Sequence, residues 1–355
     1  MIQFSVHSAL ESRFLVPSPR PLRPLRSICS LGSPVKFPVL IGPTAGGKSD
    51  LAVDVSLALI AQGKTAEVVT ADAYQIYRGM DIGTAKPTVK ERRGIRHHLI
   101  DIVEPGESFT VSDWLVAANA AIDEIRSRGV VPIVVGGTHL YIKALLDGLF
   151  EGPDPDPALR ELLRVTPAAE RRAELERVDP AAAGRIHPND ERRTLRALEV
   201  FRQTGSPISQ LQSQWDKETR TDCTLIGLDW PSELLNPRIN ARVKSMMERG
   251  LLEETRGLLP RLGLQAREAL GYKQLIEHIE GRCTLEDAVE KIKVETRRFA
   301  KNQRTWLRRL RLTAGSVWID AGATPRDRWA GMVLESAASS GLDPASPPFP
   351  RKADR

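Results

Sequence analysis

The stretch Gly42-Pro43-Thr44-Ala45-Gly46-Gly47-Lys48-Ser49 matches the pattern G-x-x-x-x-G-K-[ST], which is typical of loops that bind phosphate groups. The apolar run Pro38–Ile41 precedes it and predicts a strand, and apolar residues at helical spacing follow it as far as Ile60. The glycines allow consecutive backbone N–H groups to turn inward, and the helix dipole adds positive potential at the same point. We therefore expect an anion the size of a di- or triphosphate to bind here, with Lys48 against its terminal phosphates and Mg²⁺ on the Ser49 hydroxyl.

The composition of the 355-residue chain is ordinary for a globular protein, with 41% apolar and 27% charged residues. No apolar run approaches the roughly 18 residues of a membrane-spanning helix, so we expect no membrane association. Three widely spaced cysteines, without a C-x-x-C pair, argue against a zinc site or a disulfide scaffold and favour a reducing, cytoplasmic setting. The formal charge of +6 is compatible with a polyanionic partner.

Apolar runs alternate with amphipathic stretches between residues 37 and 149. Strands are predicted at 67–70, 98–101 and 130–135, and helices at 112–128 and 141–149. This alternation predicts an α/β fold, a P-loop NTPase-like parallel sheet flanked by helices. Gly42, Asp72 and Gly136 each lie at or just past the carboxyl end of a predicted strand. Because ligands of open α/β sheets bind outside those ends, we expect these three segments to converge on one site.

Composition also divides the chain into segments. Residues 1–36 are basic, rich in Pro and Ser and poor in acids, which predicts a disordered N-terminal extension. Alternating Pro and Asp at 151–157 break both strand and helix, and residues 158–218 are charged and helical in pattern. We therefore expect a catalytic core of residues 37–152 and 222–338 ending in basic helices, an inserted all-helical subdomain at 153–221, and a frayed tail at 339–355.

Two clusters of basic residues predict a nucleic-acid partner. The segment Lys291–Arg311 holds nine basic residues and a single acid, and positions 297, 301, 304 and 308 share one face of a helix. Such a run is usually a solvated surface, but the shortage of acidic partners favours phosphate binding. The second cluster lies in the predicted insertion and consists of Arg185, Arg192, Arg193, Arg196 and Arg202. Basic surfaces on either side of a crevice favour a nucleic acid lying across its opening.

Asp72 is the candidate general base, because it lies at a strand end that faces the phosphate loop. A turn-capping aspartate would show the same pattern, and the sequence leaves both interpretations open. The pair His97-His98 and the later His139 receive no role, since histidines in such positions are more often packed than catalytic.

Longer motifs resemble those of one family, the tRNA dimethylallyltransferases, also called tRNA isopentenyltransferases. Besides the phosphate loop, the matching stretches within about residues 38–320 are DAYQIYRGMDIGTAKP (72–87), HHLID (97–101), VGGTHLYIKALLDG (135–148), HPNDERRTLRALEVF (187–201), GYKQ (271–274) and FAKNQRTWLRR (299–309). The Asp-Ile-Gly-Thr-Ala-Lys-Pro and His-Pro-Asn-Asp signatures are far more specific than the phosphate loop. No zinc-finger motif follows them, so the chain resembles the bacterial form.

The resemblance implies a prenyl transfer. Such enzymes move a dimethylallyl group from dimethylallyl pyrophosphate to N6 of the adenosine immediately 3′ of the tRNA anticodon, and release pyrophosphate. The loop would hold the pyrophosphate with Mg²⁺ on Ser49. Asp72 would accept the N6 proton, and Thr44 and Lys48 would complete the catalytic set. The residues expected to contact tRNA are Asp72, Ala73, Tyr74, Gln75, Thr138, Arg192, Arg193, Arg196, Gly271, Tyr272, Lys273, Lys301, Gln303 and Arg304.

Three positions depart from the family pattern and leave their contacts open. Ala73 stands where Ser is common, Arg192 replaces a frequent Gln, and Asn302 stands where Arg is usual. Two other functions fit the same loop: a small-molecule kinase that uses ATP, with Asp72 activating a hydroxyl, and a nucleic-acid-binding module that only senses nucleotide. The basic surfaces disfavour the kinase, because a small acceptor does not need them. We expect the protein to be a monomer.

Overall fold

The structure, a computed structural model, describes residues 36–149, 152–211 and 220–339. The predicted extension at 1–36 and the predicted tail at 339–355 therefore lie outside these ranges, apart from their innermost residues. Within the described ranges, none of the helices combines the length and hydropathy needed to cross a membrane.

The described strands are β1 (Phe37–Ile41), β2 (Ala66–Ala71), β3 (His97–His98), β4 (Val131–Gly136), β5 (Cys223–Asp229) and β6 (Val317–Asp320). They form one six-stranded parallel sheet in the order β3-β2-β4-β1-β5-β6. The central strands are buried almost throughout, because helices cover both faces of the sheet. The predicted parallel α/β architecture is confirmed.

The helices alternate with the strands in the first part of the chain and dominate the remainder. In chain order they are α1 (Lys48–Ala61), α2 (Val89–Arg92), α3 (Val111–Ser127), α4 (His139–Asp147), α5 (Pro157–Val165), α6 (Ala168–Val178), α7 (Pro180–Arg185), α8 (Glu191–Thr204), α9 (Ile208–Leu211), α10 (Ser232–Glu248), α11 (Leu251–Leu258), α12 (Leu264–Arg267), α13 (Tyr272–Ile279), α14 (Leu285–Leu310) and α15 (Trp329–Ser339). The long basic helix α14 begins directly after Thr284, which accepts a hydrogen bond from the Asp287 N–H and caps it.

The element boundaries depart most from prediction at β3. A strand is predicted at 98–101, but β3 contains only the two histidines. Leu99 and Asp101 have φ angles of +62° and +57°, in the left-handed region, which ends the strand. The helix predicted from residue 141 begins two residues earlier, at His139.

The register of the sheet brings three loops together. The last residues of β1 and β2 are both aligned with Gly136, the last residue of β4. The segments that begin at Gly42, Asp72 and Gly137 therefore emerge side by side at the carboxyl edge of the sheet. The predicted convergence of these segments is confirmed.

The described residues pack around several apolar clusters. Helices α1, α10 and α15 cover one face of the sheet, whereas α3 and α4 cover the other. A third cluster packs the segment after β2 against α10, α11, α13 and α14. Helices α5–α9 pack around a small cluster of their own, which includes Leu163, Leu175 and Leu198.

Candidate active site

The phosphate loop joins β1 to α1 and contains two residues in the left-handed conformation. Ala45 has φ +59° and Gly47 has φ +83°, which turns neighbouring N–H groups toward a common side. The Gly46 N–H donates to Pro43 O at 3.2 Å and closes the turn. Because α1 starts directly after the loop, its first N–H groups have no intrahelical acceptor and are available to an anion.

Lys48 lies inside this loop. Its Nζ donates to Pro43 O at 2.7 Å. The Lys48 Nζ also lies close to Gly137, because a Cβ atom on that glycine would be 3.4 Å from it. Burial, together with the nearby Arg242 guanidinium, lowers the pKa of Lys48 to about 7, whereas the Asp72 carboxylate opposes the shift. Lys48 therefore lies between the phosphate loop and the segment after β4, in an environment that lacks a full counter-charge.

Arg242, on α10, is a site residue that the sequence analysis missed. Its guanidinium lines the same cavity as Lys48 and makes no hydrogen bond or ion pair with any residue in the described ranges. Burial lowers the pKa of Arg242, and the Asp72 carboxylate opposes that shift. Because a buried charge without a partner is costly, Lys48 and Arg242 together form one side of a site for a multiply charged anion.

Asp72 follows β2 directly and lines the cavity opposite these cations. Its Oδ1 accepts the N–H groups of Tyr74 at 2.9 Å and Gln75 at 3.3 Å, and so caps the turn that follows. Its Oδ2 has no hydrogen-bond partner among the described residues. The two interpretations that the sequence leaves open are therefore compatible, because one oxygen orients the carboxylate while the other is available to a ligand.

Gln303, on α14, connects the loops of the site. It is 4% exposed, accepts the Thr44 N–H through Oε1 and donates from Nε2 to Gly137 O, both at 2.8 Å. Next to it, Thr138 Oγ1 accepts the Ala73 N–H at 3.2 Å. The phosphate loop and the segments after β2 and β4 are thus joined by hydrogen bonds. Both ends of the Gln303 amide take part in these hydrogen bonds, and its contact with tRNA stays a prediction.

Tyr272 is the first residue of α13. It is fully buried, and its hydroxyl donates to Glu254 Oε1 at 2.5 Å. The Glu254 carboxylate also accepts the backbone N–H groups of Asp81, Ile82 and Gly83 at 2.8–3.2 Å. Tyr272 and Glu254 together hold the segment 81–83 in place, and the contact of Tyr272 with tRNA stays a prediction.

Gln75 supports the cavity wall from within. It is 8% exposed, and its Nε2 donates to Thr84 O at 3.2 Å and Ala85 O at 3.4 Å. Only its Oε1 is left for the predicted contact with a nucleotide. Ala73, Tyr74 and Gly271 line the same cavity.

Some of the basic residues predicted to bind tRNA have no partner in the described ranges. Lys301 on α14 and Arg192 on α8 are exposed and make no ion pair there. Arg193 is exposed and makes only a loose pair with Asp190, at 3.5 Å. These three side chains are free to meet phosphate groups.

The remaining basic residues that are predicted to bind tRNA already have partners within the protein. Arg196 pairs with Glu199 at 2.9 Å and donates to Pro153 O at 2.9 Å, so it links α8 to the start of the predicted insertion. Arg304 donates to Ser232 Oγ. Lys273 is exposed and pairs with Glu268 at 2.6 Å. For these three residues a contact with tRNA would require exchange of an existing partner.

The groups around the phosphate loop line one cavity of about 1030 Å³. Its walls come from the phosphate loop, the segments after β2 and β4, and helices α10 and α14. Lys48, Arg242 and the available Oδ2 of Asp72 share this space. The arrangement can hold a pyrophosphate ester by its leaving group and present a base to an attacking nucleophile.

A divalent metal fits this site through Ser49. The Ser49 hydroxyl lines the cavity and has no hydrogen-bond partner in the described chain. Within the described ranges no three His, Cys, Asp or Glu side chains are grouped so that they could hold an ion by themselves. Mg²⁺ commonly binds one or two protein groups together with phosphate oxygens and water. The residues present therefore suit an ion shared between Ser49 and a pyrophosphate.

The fold and the site define a class of protein, an α/β protein with a phosphate-binding loop beside a carboxylate. Comparisons with known proteins then narrow the class. The family model described as IPP transferase matches residues 75–310. A tRNA dimethylallyltransferase of Anaeromyxobacter dehalogenans (strain 2CP-C) is 45% identical over 291 residues, covering 80% of this chain and 95% of the relative. Another, of Bifidobacterium adolescentis, is 44% identical and covers 76% of this chain and 81% of the relative.

The solved structures that this chain resembles are of the same kind of enzyme as these relatives. A full-length tRNA isopentenylpyrophosphate transferase from Bacillus halodurans is 36% identical with a TM-score of 0.62, over 86% of this chain and 98% of its own. A eukaryotic dimethylallyltransferase acting on tRNA is 28% identical with a TM-score of 0.72, over 85% of this chain and 77% of its own. The chain belongs to the IPP transferase family. The P-loop NTPase-like fold is thereby confirmed, and tRNA dimethylallyl transfer is confirmed over the kinase alternative.

Proposed function

We propose that this protein transfers the dimethylallyl group of dimethylallyl pyrophosphate to N6 of the adenosine immediately 3′ of the anticodon in tRNA, with release of pyrophosphate. One observation carries the proposal. Lys48 and Arg242, two cations without counter-ions in the described chain, share a cavity with the available oxygen of Asp72. The cations suit a pyrophosphate leaving group, and the carboxylate suits a nucleophile that must lose a proton.

Asp72 Oδ2 is the group that accepts the N6 proton in this proposal. The exocyclic amine of adenosine is a weak nucleophile, because its lone pair is delocalised into the purine ring. As the bond from N6 to the prenyl C1 forms, the proton leaves N6 for the carboxylate. A positioned general base contributes about 10²- to 10⁴-fold. The hydrogen bonds from Tyr74 and Gln75 to Oδ1 keep the carboxylate oriented for this transfer.

In this proposal the phosphate loop binds the pyrophosphate leaving group. As the C1–O bond breaks, its electron pair departs with the pyrophosphate, and negative charge accumulates on the leaving oxygen. The loop N–H groups, Lys48 and Arg242 are arranged to stabilise that charge. The Thr44 hydroxyl, which has no partner in the described ranges, lies in the same loop beside the reacting centre. Mg²⁺ held through Ser49 would supply further stabilisation of the phosphate oxygens.

In this proposal helices α8 and α14 bind the tRNA. Their exposed cations Lys301, Arg192 and Arg193 suit the phosphates of an anticodon stem-loop. The target adenosine must leave its stack to bring N6 to the carboxylate, so base flipping is part of the proposal. Residues 153–221, whose described helices have an apolar cluster of their own, would act as an insertion that holds the stem-loop. We further propose that the protein works as a monomer in the cytoplasm.

A transfer assay tests the proposal. Purified protein is incubated with Mg²⁺, unmodified tRNA and radiolabelled dimethylallyl pyrophosphate. We expect label in the tRNA, and nuclease digestion should yield labelled N6-dimethylallyladenosine. A tRNA with guanosine in place of the target adenosine is the matched control and should remain unlabelled. Phosphorylation of a metabolite by ATP, without labelled tRNA, would contradict the proposal.

A further inference from the structure

Two side chains hold carbonyl groups of the phosphate loop from the side of β5 and α10. The Trp230 Nε1–H donates to Gly46 O at 3.1 Å, and the Arg238 Nε–H donates to Ala45 O at 3.0 Å. Trp230 follows β5 and is 7% exposed. It does not line the cavity, so any influence on a ligand must pass through the loop.

The same two side chains are anchored to the helix that the loop precedes. The Arg238 guanidinium lies 4.7 Å from the Trp230 ring centroid, and Trp230 meets Trp329 edge-on with the centroids 6.1 Å apart. Arg326 lies 4.8 Å over the Trp329 ring and pairs with Asp54 of α1 at 2.7 Å. Two tryptophan rings in contact, each with an arginine against it, therefore form a continuous support behind the loop, of a kind that contributes when partly desolvated.

The contacts determine which way the loop peptides face. In a planar trans peptide, the carbonyl and the N–H of the next residue point in opposite directions. Holding Gly46 O toward Trp230 therefore directs the Gly47 N–H away from Trp230, toward the anion side of the loop. The preceding peptide is fixed at both ends, since Ala45 O accepts from Arg238 and the Gly46 N–H donates to Pro43 O.

We propose that Trp230 and Arg238 are positioning residues for the pyrophosphate. Trp230 keeps the Gly47 N–H aimed at the leaving group before the donor binds. Arg238 fixes the preceding Ala45–Gly46 peptide, whose N–H closes the turn on Pro43 O. Preorganised donors of this kind are effective because they need no rearrangement when the charge develops. The inference rests on the proposed function in one respect, namely that the loop holds the pyrophosphate of the donor.

The variant Trp230→Phe tests the role of Trp230 in the full-length protein, because it keeps an aromatic ring and removes the N–H donor. We expect the KM for dimethylallyl pyrophosphate and the inhibition constant of inorganic pyrophosphate to rise together by about 2- to 10-fold, the range of a single hydrogen bond. The KM for tRNA should stay unchanged. Trp318→Phe is the matched control, since Trp318 Nε1 donates to Ser316 Oγ at 3.2 Å, away from the loop.

A second variant covers the case in which Trp230→Phe does not fold. Arg238→Lys keeps the charge but cannot place an Nε–H at Ala45 O, so the same two constants should rise. If Trp230→Phe leaves the donor KM and the pyrophosphate inhibition constant unchanged, the inference is overturned. This holds even if Arg238→Lys binds donor and pyrophosphate more weakly, because Arg238 would then act by touching the ligand. An equal rise in the KM for tRNA would also overturn it, since Trp230 would then support only the fold. Absence of transfer by the unaltered protein would contradict the proposed function instead.

Discussion

Lys48 is half-buried and Lys86 is buried, both at the carboxyl edge of the sheet, but they are paired in different ways. The Lys86 ammonium is surrounded by a backbone carbonyl at 2.7 Å and two carboxylates at 2.6 and 2.5 Å. The Lys48 ammonium donates to one backbone carbonyl and lies near the guanidinium of Arg242. One lysine has its counter-charges inside the protein, whereas the other has an additional positive charge beside it.

The difference distinguishes a structural cation from a ligand-binding one. Removing a charge from water costs several kcal/mol unless a partner compensates. At Lys86 the ion pairs with Asp81 and Asp101 compensate this cost. They also hold in place the segment that forms part of the cavity wall. Around Lys48 the described chain offers no ion-pair partner. In the proposed function the compensation comes from the pyrophosphate that binds.

The largest expected effect follows from removing the base beside these cations. Asp72→Asn keeps an oxygen that can accept from Tyr74 N–H, but its amide cannot take up a proton. We expect kcat for prenyl transfer to fall by about 10²- to 10⁴-fold, while the KM values for donor and tRNA change little. Single-turnover transfer with saturating substrates measures the effect. A kcat close to that of the unaltered protein would show that another group receives the proton.

A comparison of Arg242 with Lys86 tests the distinction between the two kinds of cation. Arg242→Gln should raise the donor KM by about 10- to 100-fold, because hydrogen bonds to charged groups contribute about 1.5–3 kcal/mol. Lys86→Met is the matched control, a buried cation with its partners inside the protein. It should lower the unfolding temperature and leave the donor KM little changed. Equal weakening of donor binding in both variants would remove the distinction.

The pKa of Lys48 gives an expected pH dependence. Its pKa of about 7 means that the ammonium loses its proton above neutral pH when no anion is bound. A bound pyrophosphate favours the charged form, so binding above pH 7 must take up a proton. The donor KM should therefore be flat below about pH 7 and rise by up to about tenfold per pH unit above it. A donor KM that does not vary from pH 6 to 9 would contradict the unpaired environment of Lys48.

The smallest expected effect concerns the exposed basic surface. Lys301→Ala should reduce the slope of log tRNA affinity against log salt concentration by about one unit, as for the loss of one phosphate contact. Lys291 lies on the same helix but pairs with Glu277 at 2.7 Å, so Lys291→Ala is the matched control. An unchanged slope in Lys301→Ala would show that this part of α14 is an ordinary solvated surface.

The parts of the site that are contiguous in sequence could be predicted from it. The phosphate loop is one uninterrupted motif between a strand and a helix, and Asp72 directly follows a strand. Strand ends in a parallel sheet share one edge, so the sequence order alone was enough to bring these segments together. The long basic helix was predictable for a similar reason, because its cap and its charge pattern are both local.

The parts built from long-range contacts could not be predicted in the same way. Arg242 is one of two arginines on α10, and only the folded chain shows that it lacks a partner among the described residues. Gln303 and Tyr272 lie in motifs that the resemblance associates with tRNA, yet their polar groups bond to the phosphate loop and to Glu254. Such pairings join residues far apart in the chain, and neither periodicity nor composition encodes them.

The most direct test of the central claim is a distance. It can be measured in a crystal structure of the protein with an anticodon stem-loop and a non-reactive thio analogue of dimethylallyl pyrophosphate. We predict that Asp72 Oδ2 lies about 2.6–3.2 Å from N6 of the flipped adenosine, or one water away, with the pyrophosphate in the loop against Lys48 and Arg242. A pyrophosphate bound outside the loop, or an N6 that faces another group, would contradict the claim.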